Sequence, residues 1–232
     1  VIFVGQGALL WRAVRFADSR GYPVDLVVSN DRQVERDGAG YSVAVTGNVN
    51  DAAGTMVDRS SDGLVWSINN PMIFRAPVLE SGLRVYNVHN GPLPAYRGLP
   101  SIAMIFAILN GETGYGATLH EVDAGIDTGQ VVATTTYPIS SAATYYEVMS
   151  QGLRACQRLF EENLDAVATG TVAPRTLNQS TSGYYGMAQL GEMHRFVDHP
   201  NFARATELGF YGPYFPEVQS ALADLHAPTT QS

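Results

Sequence analysis

Short apolar runs alternate with amphipathic stretches along the first two-thirds of the chain. Residues 1–4 form the first run, followed by Gly5-Gln6-Gly7 and a helical stretch from Ala8 to Arg20. Asp25 to Ser29 is the next run, and strand–helix–strand alternation predicts a parallel sheet. Val43 to Val45 predicts a short third strand, residues 49–59 a helix, Gly63 to Ile68 a fourth strand and Arg84 to His89 a fifth. Pro100 to Leu109 reads as a helix, with proline in the first turn where its missing N–H leaves no bond unmade. Two further strands follow, Gly116 to Val122 and Val131 to Tyr137.

The longest helical pattern runs from Ala143 to Thr169. Val148, Leu153, Cys156, Leu159, Phe160, Leu164 and Val167 recur at near-helical spacing, and Gly170 supplies a stop. Beyond it the pattern breaks up. Residues 171–232 are short segments interrupted by Gly183, Pro200, Gly209, Gly212, Pro213 and Pro216. The division predicted is therefore a domain over 1–170 and a small C-terminal appendage over 171–232, packed on the core and ending in a disordered tail from Ala227 to Ser232.

Composition narrows the class. A length of 232 residues, 45% hydrophobic and 16% charged, suits a soluble globular protein with one substantial core. No run is long and apolar enough for a membrane-spanning helix. The opening run, without a basic leader or a small-residue cleavage site, reads as a buried strand rather than a signal peptide. The formal charge of −8 opposes nucleic-acid binding, which needs a basic face. All 14 cationic residues are arginine, which removes lysine Schiff-base chemistry. The single cysteine, Cys156, excludes an internal disulfide and a cysteine-rich metal site; it reads as a small buried hydrophobe in a helix, in keeping with a reducing cytoplasm. No metal site is expected.

Candidate chemistry lies between Asn87 and Asp127. Side chains in a strand alternate, so Asn87 and His89 project from one face at the carboxyl end of the fifth strand, where open parallel sheets bind ligands. An amide can donate to a carbonyl oxygen that gains negative charge, and an imidazole can exchange a proton near neutral pH. The same two groups could instead satisfy local backbone. The segment Asn90 to Pro100 is stiffened by prolines and opened by Gly91 and Gly98 to close backbone approach. Asp123 and Asp127 follow in a glycine-rich connection, where turn-forming is their ordinary use.

Taken in order, Asn87-Val88-His89, Leu93-Pro94-Ala95-Tyr96-Arg97-Gly98 and Gly125-Ile126-Asp127-Thr128-Gly129 resemble the signature of the folate-dependent formyltransferases. That family includes glycinamide ribonucleotide transformylase, methionyl-tRNA formyltransferase, sugar N-formyltransferases and formylation domains of peptide synthetases. The match runs from about residue 63 to 138, and the order of elements extends it to about 170. The resemblance implies an α/β, Rossmann-like formyltransferase fold: a mostly parallel central sheet flanked by helices, plus the small C-terminal appendage. It implies 10-formyltetrahydrofolate as donor. Asn87 would hold the formyl oxygen, His89 would support that oxyanion or manage the amine proton, and Asp127 would orient His89 and relay the proton. A neighbouring carboxylate raises a histidine pKa and fixes its tautomer. The loop Asn70-Pro71-Met72-Ile73 would grip the pterin through main-chain atoms, with Ala124, Gly125 and Ile126 as the other wall. His120 matches a substrate-side histidine of the purine enzyme, although a strand histidine also serves structure.

Departures from the pattern bear on the acceptor. Gly5, Gln6 and Gly7 could cradle an anion at a helix N-terminus, but the Ser/Asn-rich version that holds a ribonucleotide phosphate is missing, and a tight strand-to-helix turn explains them as well. A tRNA acceptor is disfavoured by the acidic balance and by the lack of that enzyme's extra β-barrel. The stretch from Asn178 to Gly186 resembles the segment after the core in enzymes that formylate sugars and carrier-bound amines. Phe210, Tyr211, Tyr214 and Phe215 could line an acceptor site or pack the appendage. The expected activity is N-formyl transfer to the amine of a small biosynthetic substrate, an amino sugar or an aminoacyl group on a carrier protein, by a protein that could be oligomeric. Two alternatives keep the resemblance: a formyltetrahydrofolate hydrolase, and an interaction domain that has lost chemistry.

Overall fold

The computed structural model describes residues 1–178 and 181–226; the tail expected from Ala227 and the residues Gln179 and Ser180 lie outside the described residues. Its first half is a run of β–α units. The strands are β1 (Ile2–Gly5), β2 (Leu26–Ser29), β3 (Val43–Val45), β4 (Leu64–Ile68) and β5 (Arg84–His89). The helices between them are α1 (Gly7–Ser19), α2 (Val34–Asp37), α3 (Ala53–Arg59) and α4 (Ala76–Leu79). The stretch 49–59, expected as one helix, is a 3-10 turn over Val49–Ala52 leading into α3. The Asn48 side chain accepts from the Asn50 N–H and starts that turn.

A two-residue strand β6 (Arg97–Gly98) and helix α5 (Pro100–Leu109) lead to β7 (Gly114–Glu121), β8 (Val131–Pro138) and the long α6 (Tyr145–Ala168). Thr144 and Glu147 cap the N-terminus of α6 with a reciprocal capping box, which starts the helix at Tyr145, two residues after the Ala143 start that periodicity suggests. The remainder comprises β9 (Tyr184–Tyr185), α7 (Met187–Gly191), α8 (Phe202–Thr206) and α9 (Pro216–His226), with 3-10 turns between them.

The central sheet has seven strands in the order β3-β2-β1-β4-β5-β7-β8. Pairing is parallel from β3 to β5 and antiparallel at β5–β7 and β7–β8, so the sheet is mostly parallel. The order reverses at β1, which places the turn after β1 and the loop after β4 side by side at the carboxyl edge. Asn69 Nδ2 donates to the Gln6 carbonyl across that crevice at 3.0 Å.

Both faces of the sheet are covered, as continuous apolar strands require. On one face Phe3, Val27 and Trp66 pack against Leu10, Trp11 and Val14 of α1 and Leu159, Phe160 and Leu164 of α6. On the other, Ile2, Val4, Val28 and Val65 meet Val49, Met56, Phe74 and Val78. A third cluster joins the buried residues Ile102 to Ile108 of α5 to the first half of α6 and to α8 and α9. Arg204 of α8 seals this contact, donating to the Ala143 carbonyl at 3.0 Å and the Ile108 carbonyl at 3.3 Å. Among the described residues no helix is long and apolar enough to cross a membrane.

One buried hydroxyl fixes the proline-rich loop after β5 to the sheet. Thr118 Oγ1, fully buried, donates to the Gly91 carbonyl at 2.8 Å and accepts from the Leu93 N–H at 3.1 Å. Replacing it with valine keeps shape and strands both partners. Thr118→Val is expected to lose about 2–6 kcal/mol in urea unfolding, at roughly 1–3 kcal/mol for each unsatisfied buried group, whereas Thr118→Ser should lose much less.

Candidate active site

Asn87, His89, His120 and Asp127 converge at the carboxyl end of β5. Asn87 and His89 point to the same side of the sheet, and antiparallel pairing sets His120 of β7 opposite Asn87 and Thr118 opposite His89. His120 is thereby part of the cluster itself. Its Nδ1–H donates to the Glu121 carbonyl at 2.7 Å, which leaves Nε2 as the free nitrogen. Asn87 Nδ2 donates one of its two hydrogens to that nitrogen at 3.1 Å. The second N–H of the amide remains for another acceptor.

His89 is held in the complementary way. Its Nε2–H donates to the Tyr96 carbonyl at 2.7 Å, so Nδ1 is the free nitrogen, 3.6 Å from Asp127 Oδ2. Asp127 Oδ1 lies 3.5 Å from His120 Nε2. Each imidazole therefore turns its unprotonated nitrogen toward one carboxylate. A proton delivered here is stabilised between ring and anion on either side.

The electrostatics follow from burial and from this arrangement. His89 is almost completely buried, and burial holds its pKa below the ordinary 6.5, with the Asp127 charge and the Tyr96 carbonyl pulling the other way. Burial also acts to raise the Asp127 pKa. It is outweighed by the charge of His89, by His120 and by the Gly98 N–H, and the carboxyl falls to about 2. The site at neutral pH thus holds a neutral imidazole beside an ionised carboxylate.

Asp127 adopts a left-handed backbone conformation, φ +52°, which a residue with a short polar side chain tolerates better than most. Four hydrogen bonds fix it there. Gly98 N–H donates to Asp127 Oδ2 at 2.9 Å, Arg97 Nε donates to the Ile126 carbonyl at 2.9 Å, and Asp123 Oδ1 accepts from the Gly125 N–H at 3.0 Å and the Thr128 hydroxyl at 2.6 Å. The two glycines of the proline-rich loop have steric reasons. A Cβ at Gly91 would sit 2.6 Å from His89 Nε2 and 2.8 Å from the Tyr96 oxygen, in the path of their hydrogen bond. Gly98, at φ +97°, has no room for a Cβ beside the Tyr185 carbonyl.

The loop after β4 forms a neighbouring part of the same edge. Asn70 organises it by donating to the Met72 carbonyl at 3.0 Å and accepting from the Met72 N–H at 2.9 Å. Asn50 holds its far end, donating to the Ile73 carbonyl at 2.9 Å and accepting from the Arg75 N–H at 2.7 Å. Pro71 and Ile73 are exposed, as are Ala124 and Gly125 of the Asp127 loop. Gly5, Gln6 and Gly7 lie at the end of β1 and reach this loop through Asn69 rather than touching the cluster. Tyr211 and Phe215 pack into the core, Phe210 lies against Tyr146, and Tyr214 is exposed. A groove of about 470 Å³ along the start of α6, lined by Tyr146, Glu147, Ser150, Gln151 and Arg154 among others, shares no residue with the cluster.

Sequence reasoning passed over Arg97 as a contributor and left His120 at the margin. The signal for His120 was present in the alternation of Thr118 and His120 as polar positions in an apolar strand. Arg97 gave no such signal, because its partners come from residues 126 and 182.

Residues 72–164 match the model of the family described as Formyl transferase. The chain is 30% identical over 151 residues to the methionyl-tRNA formyltransferase of Synechococcus sp. (strain JA-2-3B'a(2-13)), covering 61% of this chain and 46% of that protein. It spans about half the length of the curated relatives it matches. The fold is similar to a sugar N-formyltransferase from Shewanella sp. FDAARGOS_354, with a TM-score of 0.72 and 18% identity over 88% of this chain and 85% of that one. It is also similar to the N-formyltransferase of Helicobacter canadensis, solved in complex with folinic acid and dTDP-3-aminofucose, with a TM-score of 0.67 and 21% identity over 79% of this chain and 69% of that one. At these identities the structural likeness is one of fold.

The shifted groups carry a pH signature of stability. The folded pKa of His89 lies below the unfolded value of 6.5, so the unfolded chain takes up a proton first as pH falls from 6.5, and stability is lost there. Asp127, depressed from 3.8 to about 2, adds stability above 3.8 that is lost as pH falls toward 2. Urea unfolding across pH should show both declines. In His89→Asn the slope just below pH 6.5 should flatten; an unchanged slope would assign it to other groups.

Proposed function

We propose that this protein, whose residues 72–164 match the formyl transferase family model, transfers a formyl group from 10-formyltetrahydrofolate to an amine. The observation that carries the reading is the cluster of Asn87, His89, His120 and Asp127: a free amide N–H beside two imidazole nitrogens that share one ionised carboxylate.

Formyl transfer needs these functions in sequence. The amine nitrogen, unprotonated, attacks the formyl carbon, and the carbonyl oxygen becomes an oxyanion. Asn87 donates to that oxygen with the N–H that His120 does not use, a contact that strengthens as charge develops. The new C–N bond leaves the amine nitrogen positively charged. Its proton passes to the free Nδ1 of His89, where Asp127 stabilises the imidazolium. From there it reaches the folate nitrogen as the old C–N bond breaks, so tetrahydrofolate leaves neutral and the site is restored. Keeping His89 neutral before attack is what burial accomplishes; Asp127 prevents burial from making the ring too weak a base.

The donor is assigned to the edge formed by Asn70, Pro71, Met72 and Ile73 on one side and Ala124, Gly125 and Ile126 on the other. Exposed main chain there, held by Asn70 and Asp123, suits hydrogen bonds to a planar heterocycle. For the acceptor we favour a small amine, an amino sugar or an aminoacyl group on a carrier protein, since a net charge of −8 opposes a polyanionic partner. Sequence similarity to methionyl-tRNA formyltransferases supports aminoacyl-tRNA as the second reading.

Purified protein should release tetrahydrofolate from 10-formyltetrahydrofolate when offered an amino-sugar nucleotide or carrier-bound aminoacyl substrate, and not when offered methionyl-tRNA. No release with any amine, together with no folate binding in calorimetry, would sink the proposal. The rate should rise with pH through neutrality as the amine loses its proton. Asn87→Ala is expected to lower kcat by about 10²–10³, and near-full activity in that variant would refute the role assigned to it.

A further inference from the structure

Arg97 lies outside the cluster, yet its side chain links the Asp127 loop to the C-terminal segment. Its Nε donates to the Ile126 carbonyl at 2.9 Å, one residue before the left-handed Asp127. Its Nη1 donates to Ser182 Oγ at 2.9 Å, and its guanidinium lies over the Tyr184 ring, 6.0 Å from the centroid. The backbone of the same residue pairs with β9, where Arg97 N–H donates to the Gly183 carbonyl at 3.0 Å and Leu99 N–H to the Tyr185 carbonyl at 2.8 Å. The next N–H, of Gly98, donates to Asp127 Oδ2. Side chain and backbone therefore grip consecutive residues of one loop, while the other end of the guanidinium is anchored in the C-terminal segment.

We propose that Arg97 is a positioning residue for Asp127, and that residues 182–185 serve as the brace through which it acts. The physical reason is the conformation of the loop. A left-handed aspartate is held against its backbone preference, and the Ile126 carbonyl is the peptide oxygen whose orientation changes if the residue relaxes. A planar guanidinium can satisfy that oxygen and Ser182 at once. An ammonium on a flexible stem cannot hold both in fixed geometry. The C-terminal segment thereby gains a function in the site without contributing a reacting group.

The inference rests on the reading that Asp127 serves His89, and it is tested without turnover. The titratable groups that face His89 are Asp127 and His120, with the Tyr96 carbonyl as its remaining partner; Arg97 is not among them. A change at His89 on removing Arg97 therefore reports movement of the Asp127 loop or of the Tyr96 carbonyl, and the double variant with Asp127→Asn separates the two. The 15N imidazole resonances of His89 are followed across pH in the wild type, Arg97→Ala, Arg97→Lys, Asp127→Asn and the Arg97→Ala/Asp127→Asn double variant. Asp127→Asn removes the carboxylate that favours the charged ring, so the Nδ1 resonance shifts and the midpoint falls. Arg97→Ala is expected to move both in the same direction, Arg97→Lys to do so nearly as far, and the double variant to add nothing to Asp127→Asn. Ser182→Ala, which removes only the outer anchor and folds without loss of the core, should produce a smaller shift of the same sign.

A His89 resonance unchanged in Arg97→Ala and Ser182→Ala, whatever happens to Tm, would overturn the proposal, as would an effect fully additive with Asp127→Asn. Where formyl transfer is measured, Arg97→Ala should lower kcat by about 10–100-fold, the scale of a small misplacement of a catalytic group. A wild-type protein without transferase activity would sink the functional reading while the resonances still decide the positioning role.

Discussion

The hydrogen bond from the Gly98 N–H to the Asp127 carboxylate joins the loop after β5 to the loop after β7. Its neighbours complete the constraint: the Tyr96 carbonyl, two residues back, takes the Nε2 proton of His89, and Arg97 between them holds the Ile126 carbonyl. Three consecutive residues thus fix the tautomer of the histidine, the orientation of the carboxylate and the turn that presents it. The stiffness of the proline-rich loop follows from this demand. Tyr96 itself is immobilised, its ring stacked on Tyr185 at 5.1 Å and its hydroxyl donating to Glu112 at 2.8 Å.

The sheet contributes a second constraint through its one change of sense. If β7 ran parallel to β5, its hydrogen-bond register would not set His120 directly across from Asn87. Antiparallel pairing does so and places Thr118 across from His89, where its hydroxyl ties down the loop that carries Gly91 and Leu93. Cross-strand neighbours on one face lie close enough for side chains to meet. The change of sense therefore turns an Asn-x-His motif on one strand into a four-residue cluster on two strands and a loop.

Burial and charge are balanced against each other in that cluster. A buried imidazole without a partner would be neutral and weakly basic, and a buried carboxylate without donors would be protonated. Set 3.6 Å apart, with a backbone N–H on the carboxylate, they keep the carboxyl ionised and the ring neutral but ready to accept a proton. Such poise suits proton handling during acyl chemistry, in which a proton must be taken from one nitrogen and given to another.

Local pattern in the sequence determined the strands from Ile2 to His89, the helix from Pro100 to Leu109 and the long α6, because each buries a continuous or periodic apolar set that few alternative arrangements could satisfy. Asn87, His89 and Asp127 were legible as well, since their types and order form a recognisable signature. The sequence could not state the sense of β7, the splitting of residues 49–59 into a turn and a helix, or the pairing of Tyr184 and Tyr185 with Arg97 and Gly98. Two-residue strands carry no periodicity, and their pairing is set by partners some 85 positions away. The same holds for His120 and Arg97: their residue types were visible, but what each one holds exists only once the sheet has reversed and the C-terminal segment has folded back. Local side-chain patterning suffices where one element buries its own apolar face, and only tertiary structure decides where a hydrogen bond must find its second partner.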